Sequence, residues 1–260
     1  MESRPPASST TPRVSVVVPL FDEGPNVVPL AREIFAALES ESEGLELILV
    51  DDASSDDTTR QIEFLQNEDS RVRGLRHLKR SGQSAALWTG LKASRGQVIA
   101  TLDGDRQNDP ADLPAMLARL IQHDMVCGVR THRQDNWRRR ISSRIARLAR
   151  KAVLSVDFPD TGCNLRVFRR PIIDSVLAFD GFHRFLPILA HAAGADVAFV
   201  PVGHRPRTAG QTKYGVWNRL GRGILDLALV KWYLKRRINS VPMHEISNTA
   251  PAKSVQASGR

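Results

Sequence analysis

Short apolar runs recur along the chain, most of them followed by a stretch with helical spacing. Val14-Ser-Val-Val-Val18, closed by Pro19, predicts a first buried strand. Residues 45–50, 72–78, 97–102, 125–129, 163–168 and 196–202 read the same way. Between them lie helical patterns. Val27, Leu30, Ile34 and Leu38 share one face, with Pro29 acceptable in a first turn. A second helix starts at Ser54-Ser55-Asp56-Asp57, a third is opened by Gly82 and runs through Ala85, Leu87 and Leu91, and a fourth covers 111–123. Trp137 to Leu154 predicts a basic helix with Ile141, Ile145, Leu148 and Ala152 as its apolar stripe, and 171–194 is helical with a break near Gly181. This alternation predicts an α/β fold with a mostly parallel sheet covered on both faces, whose ligand crevice lies beyond the carboxyl ends of the strands.

Acids stand at three of those strand ends: Asp22/Glu23, Asp51/Asp52 and Asp103/Asp105. Asp103-Gly104-Asp105 is the most informative, because side chains at i and i+2 of an extended segment point the same way and can converge on one cation. So few protein oxygens suit Mg²⁺ or Mn²⁺ that completes its shell with water and phosphate oxygens, and Gln107 can add one more. Gly104 permits close approach to the backbone. Asp109-Pro110 reads as the cap and first residue of the next helix.

The 260 residues, 42% of them hydrophobic, suffice for one large domain. Lys and Arg exceed Asp and Glu by nine, with the excess between Arg130 and Lys151 and between Lys213 and Arg237. Such a field attracts phosphates, anionic lipid or nucleic acid. A basic nucleic-acid-binding module is the alternative of another class, but helix-turn-helix, zinc-ligand and aromatic-platform motifs are lacking and acids at three strand ends oppose it. No Gly-x-Gly-x-x-Gly follows the first strand, which weakens a dinucleotide-dependent dehydrogenase. Cys127 and Cys163 read as buried thiols in a reducing cytoplasm. Residues 1–13 read as a disordered leader rather than a signal peptide, 14–215 as the folded domain, 216–239 as a basic amphipathic helix and 240–260 as a disordered tail. No stretch reaches the ~20 apolar residues of a spanning helix.

Six segments carry a family resemblance: Val-Pro-Leu-Phe-Asp-Glu (18–23), Val-Asp-Asp-Ala-Ser-Ser-Asp-Asp-Thr (50–58), Gly-Gln-Ser-Ala-Ala-Leu (82–87), Asp-Gly-Asp-Arg-Gln-Asn-Asp-Pro (103–110), Asp-Thr-Gly-Cys-Asn-Leu-Arg (160–166) and His-Arg-Pro-Arg-Thr-Ala-Gly-Gln-Thr-Lys-Tyr-Gly (204–215). In this order the chain resembles the family 2 glycosyltransferases, in the branch of dolichyl-phosphate mannosyltransferase and the bacterial polyprenyl-phosphate glycosyltransferases. The resemblance implies a GT-A fold, a Rossmann-like three-layer sandwich, here with a C-terminal amphipathic helical segment. It also implies a nucleotide-sugar donor such as GDP-mannose or UDP-glucose, a divalent metal and inverting transfer of a hexose to a polyprenyl phosphate. Pro19, Phe21, Glu23 and Asp52 match nucleoside-binding positions; Asp103, Asp105 and Gln107 match metal and diphosphate positions. Arg130, Arg139 and Ser143 match positions that hold the acceptor phosphate, and Arg207 and Lys213 those that neutralise the donor diphosphate. Asp105, Arg130, Arg139 and Arg207 are the expected catalytic set. Asn108, Thr212 and Asp22 depart from the residues usual at their positions, a His, a Ser and an Asn.

The acceptor decides what else the chemistry needs. A sugar hydroxyl must lose a proton and wants a base, for which Asp160 is the candidate in a glycosyltransferase acting on carbohydrate. A phosphate monoester, with a second pKa of about 6, is already anionic and needs only a cationic seat. Arg130 and Arg139, with the Ser143 hydroxyl, supply such a seat, and Asp160-Thr161-Gly162 then reads as a turn. A lipid acceptor also accounts for the last helix, whose Trp217, Leu220, Leu225, Leu229 and Trp232 mix with Lys231, Lys235, Arg236 and Arg237, a pattern suited to a membrane interface. The expectation is a cytoplasmic protein peripheral on the inner face of the membrane, with a membrane-spanning partner subunit possible and no nucleic-acid partner.

Overall fold

A computed structural model of the protein describes residues 12–131, 147–148, 150–154, 156–206 and 216–237. Seven strands form one sheet: β1 (Val14–Leu20), β2 (Leu45–Asp51), β3 (Val72–Arg76), β4 (Val98–Thr101), β5 (Met125–Arg130), β6 (Arg166–Arg169) and β7 (Val197–Val202). Around them lie α1 (Gly24–Ala37), α2 (Thr58–Glu68), α3 (Gln83–Ala93), α4 (Leu113–Arg119), α5 (Pro171–Ser175), α6 (Phe182–Ala192) and α7 (Val216–Arg236). The order across the sheet is β3-β2-β1-β4-β6-β5-β7, every pair being parallel except the two made by β6. This is the mostly parallel α/β sandwich expected.

Along the strands, alternate residues serve opposite faces. Val14, Val16 and Val18 pack with α1, α2 and α4, while Val17, Ile48, Val50 and Ile99 pack with α3, α5, α6 and Val230 of α7. Both faces are dry, so the strands read as continuous apolar runs rather than alternating ones.

Local boundaries differ from the sequence reading, and the expected 171–194 helix is two, α5 and α6, parted by residues 176–181. Helix α1 begins at Gly24 with Pro25 in its first turn, so Pro29 lies in the second turn and deletes one backbone hydrogen bond there. The fourth helical segment opens as a 3₁₀ turn, Pro110–Asp112, with Asp109 Oδ1 accepting from Ala111 N at 3.0 Å, and α4 ends at Arg119. Strand β3 stops at Arg76, where His77 and the following residues turn toward Asp52. Strand β6 starts only at Arg166, because Cys163 to Leu165 form the approach to it from the 160–162 turn.

Helix α7 is packed on one side and open on the other. Val230 is fully buried, and Leu227, Tyr233 and Leu234 lean on the same core. Leu225, Leu229 and Trp232 are 71%, 39% and 62% exposed. Among the described residues no helix is long and apolar enough to cross a membrane.

Candidate active site at the carboxyl edge of the sheet

The parallel register brings Leu20 level with Asp51, and Asp51 level with Arg76, so the acid-bearing loops leave the sheet side by side. Strand β6 runs the other way, and its first residue, Arg166, pairs with Thr101 and Cys127. Its reversed direction delivers the 160–165 segment to the same edge. Among the described residues, the non-glycine residues with positive φ are Asp22 (49°), Ala53 (59°) and Arg106 (57°), in the loops leaving β1, β2 and β4. Such conformations cost on the order of 1–3 kcal/mol each and persist where surrounding contacts impose them.

Asp103 is the focus of the edge. Asn164 Nδ2 donates to both its oxygens, at 2.8 and 3.1 Å, and Gln83 Nε2 donates to Oδ1 at 2.8 Å. Burial, and then the charge of Asp105, push the Asp103 carboxyl up to about 6, while Asn164 and the guanidinium groups of Arg166 and Arg130 pull it back. Asp105 Oδ1 accepts from Gln107 N at 3.1 Å. The segment is a turn rather than an extended strand, but the two acids still act on each other's charge. Gly104 allows the approach: a Cβ there would stand 2.4 Å from Leu20 Cδ2. Gln107 Nε2 donates to Arg205 O at 3.5 Å.

These residues fit a divalent cation. Two like charges crowd together, and the buried Asn164 Oδ1 has no hydrogen-bond partner, as if the amide were oriented entirely by the acid. Among the described residues no group of three or more His, Cys, Asp or Glu could hold a metal, so water and substrate oxygens would fill out the shell.

Arg130 closes the other side of the edge. Its Nε and Nη2 reach Asp160 Oδ2 and Oδ1, each at 2.8 Å, and its side chain lies against Gly162. Asp160 is therefore more than part of a turn: it fixes Arg130 at two points. Beneath both, the fully buried Arg166 donates to Thr161 O at 3.0 Å and to His183 O. His183 shares a 2.8 Å hydrogen bond with Ser84 Oγ, which also accepts from Gly181 N, so α6 is pinned to the start of α3 beside Gln83. Burial, then Arg166 and Arg184, hold the His183 imidazole down to about 3, so it is neutral.

The residues expected at the nucleoside are held by their neighbours. Asp52 is buried and accepts from Ser81 N (2.8 Å) and Gly82 N (2.7 Å), with His77 Nδ1 at 2.7 Å. Gly82 takes φ 93°, which lets the chain turn its N–H back onto Asp52. The Phe21 ring lies under the Arg80 guanidinium at 4.0 Å, Glu23 accepts from Asn26 Nδ2 at 2.7 Å, and Pro19 pairs level with Val50. Arg139, Ser143, Arg207 and Lys213 lie outside the described residues. The sequence reading missed Gln83, Asn164 and Arg166 as site residues. All three stood inside the quoted motifs, but nothing local pairs any of them with Asp103.

Comparison with known proteins places the chain in a family and agrees with the fold. Residues 15–177 fit the family model described as glycosyl transferase family 2. The undecaprenyl-phosphate 4-deoxy-4-formamido-L-arabinose transferase of Aeromonas hydrophila subsp. hydrophila is 35% identical over 205 residues, covering 78% of this chain and 63% of that protein. The dodecaprenyl-phosphate galacturonate synthase of Rhizobium johnstonii is 36% identical over 228 residues, covering 85% of this chain and 67% of that protein. The chain thus spans about two thirds of the length of the relatives it matches. Among solved structures, the mannosyltransferase PcManGT of Pyrobaculum calidifontis, in complex with GDP-Man and Mn²⁺, superposes with a TM-score of 0.60 at 19% identity, covering 90% of this chain and 67% of that one. Glucosyl-3-phosphoglycerate synthase of Mycobacterium tuberculosis, with Mn²⁺, UDP and glucosyl-3-phosphoglycerate, gives 0.62 at 20% identity, covering 85% and 80%. With a GT-A sheet, an Asp-Gly-Asp turn at its carboxyl edge and a family model that matches residues 15–177, this chain belongs to glycosyl transferase family 2.

Proposed function

We propose that the protein is a metal-dependent, inverting glycosyltransferase that moves a hexose from a nucleotide sugar to a polyprenyl phosphate, without a dedicated general base. The observation that carries this reading is the two-point pair of Arg130 and Asp160 on the same edge as Asp103 and Asp105. With both oxygens of Asp160 engaged by a guanidinium, that carboxylate is poorly placed to take a proton from a sugar hydroxyl. Arg130 is instead a partly buried, oriented cation suited to an anionic nucleophile. Relatives named for undecaprenyl and dodecaprenyl phosphate support the same acceptor class.

A bound divalent cation at Asp103 and Asp105 would supply Lewis-acid stabilisation to the departing diphosphate. Asn164 and Gln83 hold Asp103 in place for that task, and the buried Arg166 adds a fixed positive charge below it. Phe21, Glu23 and Asp52 form the nucleoside side. The family resemblance assigns Arg139 and Ser143 to the acceptor phosphate as well, and Arg207 and Lys213 to the donor diphosphate. On the acceptor side, Arg130 orients the phosphate so that an oxygen attacks the anomeric carbon opposite the leaving group. The C–O bond to the diphosphate breaks as the new one forms, with inversion.

The open face of α7 supports peripheral contact with the inner face of the membrane. Leu225, Leu229 and Trp232 point outward beside Lys231, Lys235 and Arg236, while Val230 anchors the helix to the domain. Domain limits at 14–215 and 216–239 follow from the same reading.

The test is a donor screen with the purified chain, a polyprenyl phosphate and Mg²⁺ or Mn²⁺, following nucleoside diphosphate release and the lipid product. The panel includes GDP-mannose, UDP-glucose and donors of the sugars in the relatives' names. Acceptor-dependent release gives the expected result. Transfer to a free carbohydrate hydroxyl but never to the lipid phosphate would overturn the reading.

A further inference from the structure

Just after β7 the chain folds back onto the acidic loop. Gly203 N donates to Asp112 Oδ2 at 2.8 Å, Asn108 and His204 form an antiparallel bridge, and Arg205 N donates to Gln107 O at 2.8 Å. A pairing this short holds little by itself. The Arg205 side chain reinforces it: Nε and Nη2 reach Asp109 Oδ2 and Oδ1 at 3.1 and 2.7 Å, and Nη1 reaches Glu33 Oε2 of α1 at 2.8 Å. The other oxygen of Glu33 binds Arg106, the left-handed residue between Asp105 and Gln107. Gln107 N in turn donates to Asp105 Oδ1 at 3.1 Å.

The loop carrying Asp105 is therefore held from outside at Arg106, Gln107 and Asp109, and Arg205 contacts the latter two directly and the first through Glu33. A guanidinium fork fixes direction as well as distance. Its members are solvent-accessible, with Arg205 40% and Glu33 and Asp109 each 27% exposed, and such pairs contribute little net stability. What they change is where the loop sits, and a displacement of ~1 Å in a reacting array can cost about 100-fold in rate.

We propose that Arg205 is a positioning residue of the transfer reaction: its fork to Asp109 and Glu33 sets the backbone of 106–109 and thereby aims the Asp105 carboxylate. This rests on the glycosyltransferase reading of the same site. Among the described residues the Arg205 side chain pairs with Asp109 and Glu33 rather than with the two acids of the Asp-Gly-Asp turn.

The test uses the full chain with Arg205→Ala, Arg205→Lys and Glu33→Gln. Binding of nucleoside diphosphate with Mn²⁺ is titrated calorimetrically without acceptor, followed by steady-state kinetics and a melting curve for each variant. Arg205→Ala is expected to lose about 10- to 100-fold in kcat and to bind the diphosphate–Mn²⁺ pair more weakly, with its melting temperature nearly unchanged and the acceptor KM at the wild-type value. Arg205→Lys keeps the charge without the fork and is expected to restore little of kcat, and Glu33→Gln to fall between. Wild-type binding and kcat in Arg205→Ala would overturn the inference, as would activity that falls only in step with melting temperature and returns fully with lysine. Failure of the wild-type chain to bind any nucleoside diphosphate would instead remove the glycosyltransferase reading itself.

Discussion

Arg130 and Asp160 meet through two parallel hydrogen bonds of 2.8 Å, joining the end of β5 to a turn thirty residues further on. Their side chains are only 15% and 8% exposed, so the pairing offsets part of the cost of taking each charge out of water.

Asp160→Asn tests what that pair does. Loss of a general base would cut kcat about 10²- to 10⁴-fold at every acceptor concentration. Loss of a positioning partner is expected to raise the KM for polyprenyl phosphate and to leave kcat within about tenfold. Asp160→Ala leaves Arg130 partly buried and uncompensated, and is expected to cost about 3–5 kcal/mol in chemical denaturation. A kcat collapse in Asp160→Asn with unchanged acceptor KM would return Asp160 to the role of base.

Metal binding should depend on pH through Asp103. Its carboxyl is raised to about 6 from an ordinary value of 3.8, so the folded protein favours the protonated form more than the unfolded chain does. The associated stability is fully present below about 3.8 and is lost as pH rises through about 6. Above that pH the metal-free protein carries two crowded negative charges, and a dication relieves them. Melting curves are expected to show Mn²⁺ stabilisation growing between pH 5 and pH 7.5, with the trend abolished in Asp103→Asn. A pH-independent Mn²⁺ effect would contradict the crowding of Asp103 and Asp105.

Asp105→Ala is expected to lower turnover at least ~10³-fold, whereas Arg139→Ala is expected mainly to weaken acceptor use. Initial rates against donor and acceptor concentration separate the two. Wild-type acceptor kinetics in Arg139→Ala would show that the phosphate seat lies elsewhere.

Gly104→Ala places a Cβ 2.4 Å from Cδ2 of the buried Leu20, so that side chain or the loop must shift. Overpacking of this kind costs about 1–3 kcal/mol, and the strain falls between the two acids. Both thermal stability and Mn²⁺ affinity are expected to drop. A variant with wild-type Mn²⁺ affinity would mean that the loop can shift without moving its carboxylates.

The outward face of α7 predicts vesicle binding. Substituting Leu225, Leu229 and Trp232 together by Ser should reduce co-sedimentation with vesicles containing anionic lipid while leaving the fold intact, because Val230 carries the packing on the opposite face. Unchanged sedimentation would remove that face from the membrane contact.

By itself the sequence determined the alternating α/β plan, the acids at successive strand ends, the caps at Asp109 and Gly82, and the buried thiols Cys127 and Cys163. Each of these is written in local periodicity, turn chemistry or a short motif. Only the tertiary structure decided the reversed direction of β6, because strands buried on both faces show no alternation that marks their partners or their sense. That reversal brings Asn164 to Asp103, Asp160 to Arg130 and Arg166 beneath both. Glu33 and Arg205, 172 residues apart, likewise meet only through the fold. Such pairs are selected by long-range packing, in which hydrogen-bonded and charged groups find partners once water has been excluded, and residue spacing along the chain carries no record of the choice.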